Sequence, residues 1–309
     1  HAIQKAWIFL DEIQLIPYWQ DILKRYYDIN QNIKFVVTGS AARSIISRSR
    51  ESLAGRIFER RLPPLTYTEY QKFTNDHDFL TYLTFGQFPE LATLPTNERK
   101  KEYLQEGVIG KVLEVDIIKT YGVRKSADFE RLFWTLLPNT GQVIVSGGLG
   151  AELGIKKATL FRYLSVLESA LLVQKVANMS GSFRSSSRLL RKYYPASSNF
   201  LSLVPQAVNI GFFVETYIAS LLETKRPDIF LWRHRSKEVD FLLPKQSVGI
   251  EVKYQAHLRS EDETVLRSLM AAGKIKEGII ITKNVDREDR RAHIRYLPAD
   301  QCEHILLRL

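Results

Sequence analysis

The sequence predicts an α/β multidomain protein. Three observations lead there. Two continuous apolar runs with a helix-like stretch between them open the chain, a helix–glycine turn–helix stands in the middle, and a strand pair bearing acids and a lysine lies near the end. At 309 residues the chain is long enough for two or three domains, each with its own core.

Ala6-Trp7-Ile8-Phe9-Leu10 reads as a strand buried on both faces of a parallel sheet. It runs into Asp11-Glu12, and apolar residues followed by Asp-Glu form a Walker B pattern. In that pattern Asp11 holds the waters around Mg²⁺ and Glu12 polarises the attacking water. A helix-like stretch follows from Tyr18 to Tyr27, then a second buried-type strand, Ile33-Lys34-Phe35-Val36-Val37, ending in Thr38-Gly39-Ser40. Strand, helix and strand in that order make a parallel unit. Polar residues at the C-terminal end of such a strand face the ligand crevice, which places Thr38 or Ser40 as a sensor of the nucleotide γ-phosphate. Arg56, in Leu53-Ala54-Gly55-Arg56, is placed to reach a phosphate, its own or a neighbour's.

These residues carry a resemblance. The stretch from Ile8 to Tyr70 resembles the second half of an AAA+ ATPase core, of a prokaryotic family with a run after the core that here reads Leu62-Pro63-Pro64-Leu65-Thr66-Tyr67-Thr68-Glu69-Tyr70. Phe85-Gly86-Gln87-Phe88-Pro89-Glu90 resembles a segment of that family's helical lid. The resemblance implies four parts: the C-terminal part of an AAA+ core (1–65), a helical lid and linker (66–120), a winged helix-turn-helix (121–205) and a restriction-endonuclease-like domain (206–309). It also implies ATP and Mg²⁺ as cofactors of the intact protein. One motif departs from it. No G-x-x-x-x-G-K-[ST] pattern occurs anywhere in the chain. Without those backbone N–H groups and that lysine a triphosphate has no cradle, so this chain by itself is expected not to hydrolyse ATP. The chain opens on His1 and runs at once into a strand, which reads as a longer protein trimmed at this point.

Thr96 to Thr120 is charged and helix-prone. Helices are expected over Asp128–Leu137, Ser146–Leu153 and Lys156–Leu171, with Gly154 as the turn between the last two. Leu160, Leu164, Leu167 and Leu171 recur at four, three and four residues, a buried stripe. The other side carries Lys156, Thr159 and Tyr163, flanked by Lys157 and Arg162. Helix, glycine turn and helix with a polar outward face is the helix-turn-helix plan. Leu172–Val176 reads as a wing strand, and Gly181–Tyr194 as a returning hairpin in which Arg184, Arg188, Arg191 and Lys192 stand without an acid. Those cations suit phosphate contacts. The same module can equally serve packing or protein contact. Around Pro195-Ala196-Ser197-Ser198 the resembled family often has an aspartate, absent here.

In the last third, Glu238–Leu243 and Val248–Lys253 read as two strands joined by a Pro244–Ser247 turn. Residues two apart in a strand share a face, so Glu251 and Lys253 stand side by side, and the neighbouring strand brings Asp240 to them. Two carboxylates and a lysine are what a metal-dependent phosphodiesterase needs: oxygen ligands for a hard cation and a charge that steers water. Glu215 lies on the apolar stripe of a helix with Ile218 and Leu222, where an acid needs a partner, a metal or a proton. Two readings stay open, a catalytic cluster or plain ion pairs to Arg233 or Lys253. The segment resembles the restriction-endonuclease-like core. Carried over, Asp240 and Glu251 are metal ligands, Lys253 the catalytic lysine, and Glu215 the acid of the preceding helix. A helix over about Glu261–Ala272 and a strand over Gly278–Thr282 complete the expected core.

Composition bounds the rest. A net charge of +10 and a pI near 9.5 favour a polyanionic partner, most simply DNA. Cys302 is the one cysteine, which excludes an internal disulfide framework and suits a reducing cytoplasm. No apolar run approaches membrane-spanning length and no secretory pattern opens the chain. His234, His257, His293 and His304 are scattered without cysteines at ligand spacing and read as surface or structural residues. The function expected is an AAA+-type ATPase coupled to DNA binding and to Mg²⁺-dependent DNA cleavage, with oligomers expected if Arg56 acts in trans. The alternative is a non-catalytic DNA-binding or protein-interaction regulator built on an inactive nuclease fold.

Overall fold

The computed structural model describes residues 5–30, 32–39, 53–116, 126–144, 146–179, 190–206, 208–225 and 228–309. Its architecture is mixed α/β: among the described residues, a two-stranded parallel pair and a nine-stranded mixed sheet with helices around it.

The pair is β1 (Ala6–Leu10) and β2 (Ile33–Val37), joined through α1 (Trp19–Ile29). The strands run parallel in register from Ala6↔Ile33 to Leu10↔Val37. Trp19 and Leu23 of α1, with Ile13 and Leu53, pack against Leu10, Phe35 and Val37. That covers one face only. Trp7 and Phe9 alternate onto the other side and are 66% and 73% exposed, so the sequence reading of a strand buried on both faces is corrected.

The segment after this pair docks elsewhere. Helix α2 (Tyr67–Thr74) starts at a capping box, with Thr66 N donating to Glu69 Oε2 (2.8 Å) and Glu69 N to Thr66 Oγ1 (3.3 Å). Helix α3 (Phe79–Phe85) is capped by Asp78 and stops at Gly86, where a Cβ would stand 2.6 Å from Tyr82 Cα. Both helices lean on the C-terminal part of the chain. Tyr217 packs edge-on to Phe79 and Tyr82, Arg61 pairs with Glu223 at 2.8 Å, and Thr68 N donates to Glu303 Oε2 at 3.0 Å.

A buried polar staple holds the Phe85–Glu90 segment. Asn199 Oδ1 accepts from Gln87 N (2.8 Å), while its Nδ2 donates to Tyr82 O (3.1 Å) and Leu83 O (2.9 Å). Gln87 Oε1 accepts in turn from Ser197 Oγ (2.6 Å) and Ser198 N (2.9 Å). Every partner is inside, which is the condition for burying amides and hydroxyls.

Helix α4 (Asn97–Glu102) continues as a π-helix over Tyr103–Asp116. Next come α5 (Ser126–Leu136), β3 (Val143–Ile144), α6 (Ser146–Leu153) and α7 (Lys157–Ser169). Gly154 turns between the last two helices at φ +66°, a backbone that glycine adopts without strain. Leu160, Leu164 and Leu167 are buried as their spacing predicts. Tyr163, read as outward-facing, is buried too, edge-on to Phe129 at 5.3 Å between ring centroids. Three residues from Leu160 and four from Leu167, it belongs to their stripe.

The remaining elements are β4 (Val173–Asn178), β5 (Arg191–Pro195), α8 (Ile210–Lys225), β6 (Phe230–His234), β7 (Lys237–Leu243), β8 (Val248–Lys253), α9 (Thr264–Ala271), β9 (Glu277–Thr282), β10 (Arg287–Asp289), β11 (Ile294–Pro298) and α10 (Glu303–Leu306). The large sheet has the order β10-β11-β9-β8-β7-β6-β4-β5-β3. It runs unbroken past position 205, because β4 and β6 pair in parallel at Ala177↔Phe230. The regions expected as separate domains over 66–120, 121–205 and 206–309 also share one core, from Tyr67 to Leu306.

Candidate functional site

Strands β7 and β8 run antiparallel with Phe241 opposite Ile250. One step further along stand Asp240 and Glu251, where the backbone ladder stops. Val252 N donates to Asp240 Oδ2 at 3.0 Å instead of to a facing carbonyl, and Asp240 N lies 3.4 Å from Glu251 Oε2. Lys253, two residues on from Glu251, donates to its Oε1 at 2.7 Å. From above, α8 lowers Glu215. The four side chains chosen from sequence therefore do converge.

A fifth group stands at the centre of three carboxylates, and it was assigned elsewhere. Lys192 projects from β5, a strand three places from β7 in the sheet. Its Nζ donates to Glu215 Oε1 (2.9 Å), Glu238 Oε1 (2.7 Å) and Asp240 Oδ1 (2.8 Å). Lys192 is 2% exposed, so its expected role as a phosphate contact is corrected: the ammonium is spent inside the protein. Tyr194 donates its hydroxyl to Glu215 Oε1 at 2.7 Å, and Arg233 holds the other oxygen of Glu238 at 3.1 Å. Gly141 closes the wall at φ +69°, and a Cβ there would lie 2.9 Å from Glu215 Oε2. The ion-pair reading of Glu215 holds in kind but not in partner, since Arg233 serves Glu238 and Lys253 serves Glu251.

Electrostatics follow from that packing. Burial works against the Lys192 charge, but the carboxylates, Asp240 first, hold its pKa above the ordinary lysine value. Burial would raise Asp240, yet Lys192 beside it brings it below the usual carboxyl range. Glu215 is pushed up to about 7 and Glu251 to about 8, in both cases by burial and then by the Asp240 charge. Lys253 is held above its ordinary value: its burial is outweighed by Glu251.

A divalent cation does not fit this cluster as it stands. Of its two expected ligands, Asp240 already accepts from Lys192 Nζ and Val252 N, and Glu251 from Lys253 Nζ and Asp240 N; a protonated ammonium donates and cannot act as a ligand. Among the described residues no group of three or more His, Cys, Asp or Glu side chains is set to hold a metal ion. The expected metal roles of Asp240 and Glu251, with Lys253 and Glu215 as catalytic partners, find the residues together but their oxygens paired with Lys192 and Lys253.

At the N-terminal pair, Asp11 and Thr38 meet at the C-terminal ends of β1 and β2, the Thr38 hydroxyl donating to Asp11 Oδ1. Glu12 lies beside them in the left-handed region, φ 48°. A non-glycine residue held there stores strain, a feature that clusters at functional sites. Arg56 does not join them. It grips Asp28 at 2.9 Å, at the end of α1 nearest the start of β2, which is the opposite edge of the parallel unit. Ser40 lies outside the described residues. The Asp11–Thr38 pair suits the water shell of a Mg²⁺ ion, but with no phosphate-cradling motif in the chain these residues do not make a nucleotide site by themselves.

Of the residues read as DNA contacts, Lys156 and Lys157 are exposed at the start of α7, Arg162 is exposed midway along it, and Thr159 is partly buried. Arg191 is half-buried, its guanidinium 5.3 Å from the Phe161 ring centroid. Arg184 and Arg188 lie outside the described residues. Reasoning from sequence missed the roles of Lys192, Tyr194, Glu238 and Gly141. One available signal was that Lys192 shares a strand face with Tyr194 in a stretch that is apolar on both sides of the chain, Tyr193-Tyr194-Pro195-Ala196.

Comparison with known proteins gives three family-model matches. Residues 1–71 match an AAA domain. Residues 76–196 and 210–302 each match a domain of unknown function, DUF8612 and DUF4143. The first and last of these support an AAA-like protein. The relatives include an uncharacterized protein of Methanocaldococcus jannaschii, MJ1544, 23% identical over 97% of this chain and 72% of its own length. An uncharacterized protein of Haemophilus influenzae is 24% identical over 78% of this chain, which spans 64% of that protein. One of Mycobacterium bovis, Mb2031c, is 29% identical over 63% of this chain, which spans 43% of that protein. No helix among the described residues is long and apolar enough to cross a membrane.

Proposed function

We propose that this chain belongs to an ATP-dependent, DNA-associated regulator in which the C-terminal part keeps a nuclease-like arrangement but does not cleave. The N-terminal region is its share of an ATPase-like core, the Asp11–Thr38 pair contributing the Mg²⁺ side of the nucleotide site in the intact protein. Residues 61–90, clamped to α8 and α10, connect that core to the body. Lys156, Lys157 and Arg162 form the DNA-facing edge of a winged-helix-like module. Its support is the exposure of these three cations on and just before α7 and the net charge of +10.

One observation carries the non-cleaving part: Lys192 Nζ lies within 2.9 Å of three carboxylates, among them Asp240, whose oxygens a catalytic metal would need. A phosphodiesterase of this type needs its carboxylates for the cation that activates water. Here they are neutralised from within. The sequence-level alternative of an inactive nuclease fold is therefore the better supported one, and Mg²⁺-dependent cleavage is set aside as the leading activity.

The test uses supercoiled plasmid with Mg²⁺ or Mn²⁺. No nicking is expected above that of an Asp240→Asn preparation. Metal-dependent nicking by the parent chain, abolished by Asp240→Asn, overturns the proposal. DNA binding measured against salt should show a steep log–log slope, since phosphate contacts release counterions.

A further inference from the structure

We propose that a basic groove beside α9 is a second contact for the DNA backbone, separate from the cations of α7. The proposal rests on the DNA-associated reading above and deepens it by adding a contact that the sequence pattern did not mark.

Alternation along the strands sorts the helices between the two faces of the large sheet. Lys192 of β5 points to Glu215 of α8, so its neighbour Arg191 points the other way, where its guanidinium lies over Phe161 of α7. Farther along, Val239 and Ile280 pack with Leu266 of α9, whereas Phe241, Ile279 and Ile281 belong to the core that holds α8. Helices α7 and α9 therefore share one face, opposite α8. The strand register connects them, running level from Arg191 through Phe230 and Leu242 to Gly278 and Ile294.

At the far end of that row the groove opens. Arg267 of α9, Lys276 just before β9, and Arg291 and His293 just before β11 line a cavity of about 680 Å³ with Met270 and Ile275, and no carboxylate lines it. Arg267 is drawn toward Glu263 and Asp289. Lys276 and Arg291 are exposed and have no carboxylate partner among the described residues. Cations left unmatched on one patch attract a polyanion. The frame that carries them is fixed: Lys276 N donates to Ser247 O at 2.7 Å and Gly278 N to His293 O at 2.9 Å. His293 is held at φ +52°, a left-handed backbone of the kind that clusters at functional sites. On β6, between the two helices, Lys274 Nζ stands 5.3 Å from the centre of the Trp232 ring and carries positive charge toward α7. The carboxylate cluster lies elsewhere, with Lys253 level with Thr282 at the finishing end of β9, while the groove lies at its start.

Phosphodiester is the occupant these features favour over an acidic protein segment. The groove shares its sheet face with the helix that presents Lys156, Lys157 and Arg162, and cations spread over one face match an anion that repeats along a chain.

The experiment measures binding of the full chain to a fluorescently labelled DNA duplex between roughly 50 and 200 mM salt. Lys276→Ala/Arg291→Ala should bind more weakly and lower the log–log salt slope by about 1.8, at about 0.9 per phosphate contact, so that its affinity falls about twelvefold less than the parent's across that range. Lys72→Ala/Lys101→Ala removes the same charge from exposed positions on α2 and α4 and should leave the slope unchanged. Thermal melts should place both variants at the parent's midpoint, since all the substituted residues are exposed. An unchanged slope in the groove variant, with the slope lowered in Lys156→Ala/Lys157→Ala/Arg162→Ala, overturns the groove and leaves the DNA reading standing. An equal drop in the α2/α4 variant also overturns the groove, because the effect is then one of bulk charge. A parent that binds no duplex overturns both, whether or not it takes poly-glutamate instead.

Discussion

Asn199→Ala tests whether residues 85–90 are held by the buried staple or merely rest on it. Asn199 is fully buried, and its side chain makes three hydrogen bonds. Their loss is not uniform. Leu83 O keeps a second donor in Ser198 Oγ at 2.7 Å, and Tyr82 O keeps Gly86 N at 2.8 Å. Gln87 N has no other partner in the interior and would be orphaned. An unsatisfied buried donor costs about 1–3 kcal/mol, and each lost bond to a still-satisfied carbonyl about 0.5–1 kcal/mol. The sum is about 2–5 kcal/mol, which for a body of this size is a fall of roughly 4–20 °C in midpoint. Asn199→Asp sharpens the test. It keeps an acceptor for Gln87 N but turns a carboxylate oxygen toward two carbonyls, so it should cost at least as much at neutral pH and recover in acid. Differential scanning calorimetry of the three chains decides it. An Asn199→Asp chain as stable as the parent at pH 7, or a loss below about 0.5 kcal/mol for Asn199→Ala, would refute the staple.

Other outcomes follow from the same packing. Gly86→Ala drives a Cβ to 2.6 Å from Tyr82 Cα, a backbone atom that cannot swing away, and should cost about 1–3 kcal/mol or more in chemical denaturation. Glu238→Gln should cost less than Lys192→Ala, because the Glu238 side chain is 26% exposed and its loss leaves Lys192 two carboxylates; equal losses would show that the cluster is not centred on the lysine. The folded chain keeps protons on Glu215 and Glu251, at about 7 and about 8, that an unfolded chain sheds near the ordinary value of about 4.3. Their stabilising contribution is therefore whole below that value and lost as pH rises through 7 and 8, so midpoints measured from pH 5 to 9 should decline across that window, and the decline should be smaller in Glu215→Gln/Glu251→Gln; an equal decline in the variant refutes the assignment. Lys156→Ala/Lys157→Ala/Arg162→Ala should weaken DNA binding alike across sequences and flatten the salt slope by about 1 for each phosphate contact removed; an unchanged slope points to the protein-contact reading of this module.

Period and short-range register made part of the site legible beforehand. Asp240, Glu251 and Lys253 lie within fourteen positions of one another on two strands joined by a tight turn, so alternation alone places them together. Glu215 on an apolar stripe announced a need for a partner. The strand–helix–strand unit at the start, and the Asp11–Thr38 meeting at its C-terminal edge, were readable for the same local reason. Arg56 was not. Its residue type suits a phosphate, but its position at the far edge of the unit follows from where the chain travels after β2.

Local sequence fixes which side chains share a face, because the backbone repeats every two or 3.6 residues whatever surrounds it. It does not fix which distant charge a buried acid will meet. Glu215 and Asp240 stand 23 and 48 positions from Lys192, and that partnership exists only because β4 and β6 join the two halves of the large sheet. A buried charge cannot stay unpaired, so a partner was required by composition alone. Only the tertiary fold chose a tethered ammonium over a free ion, and with that choice set the chemistry of the site.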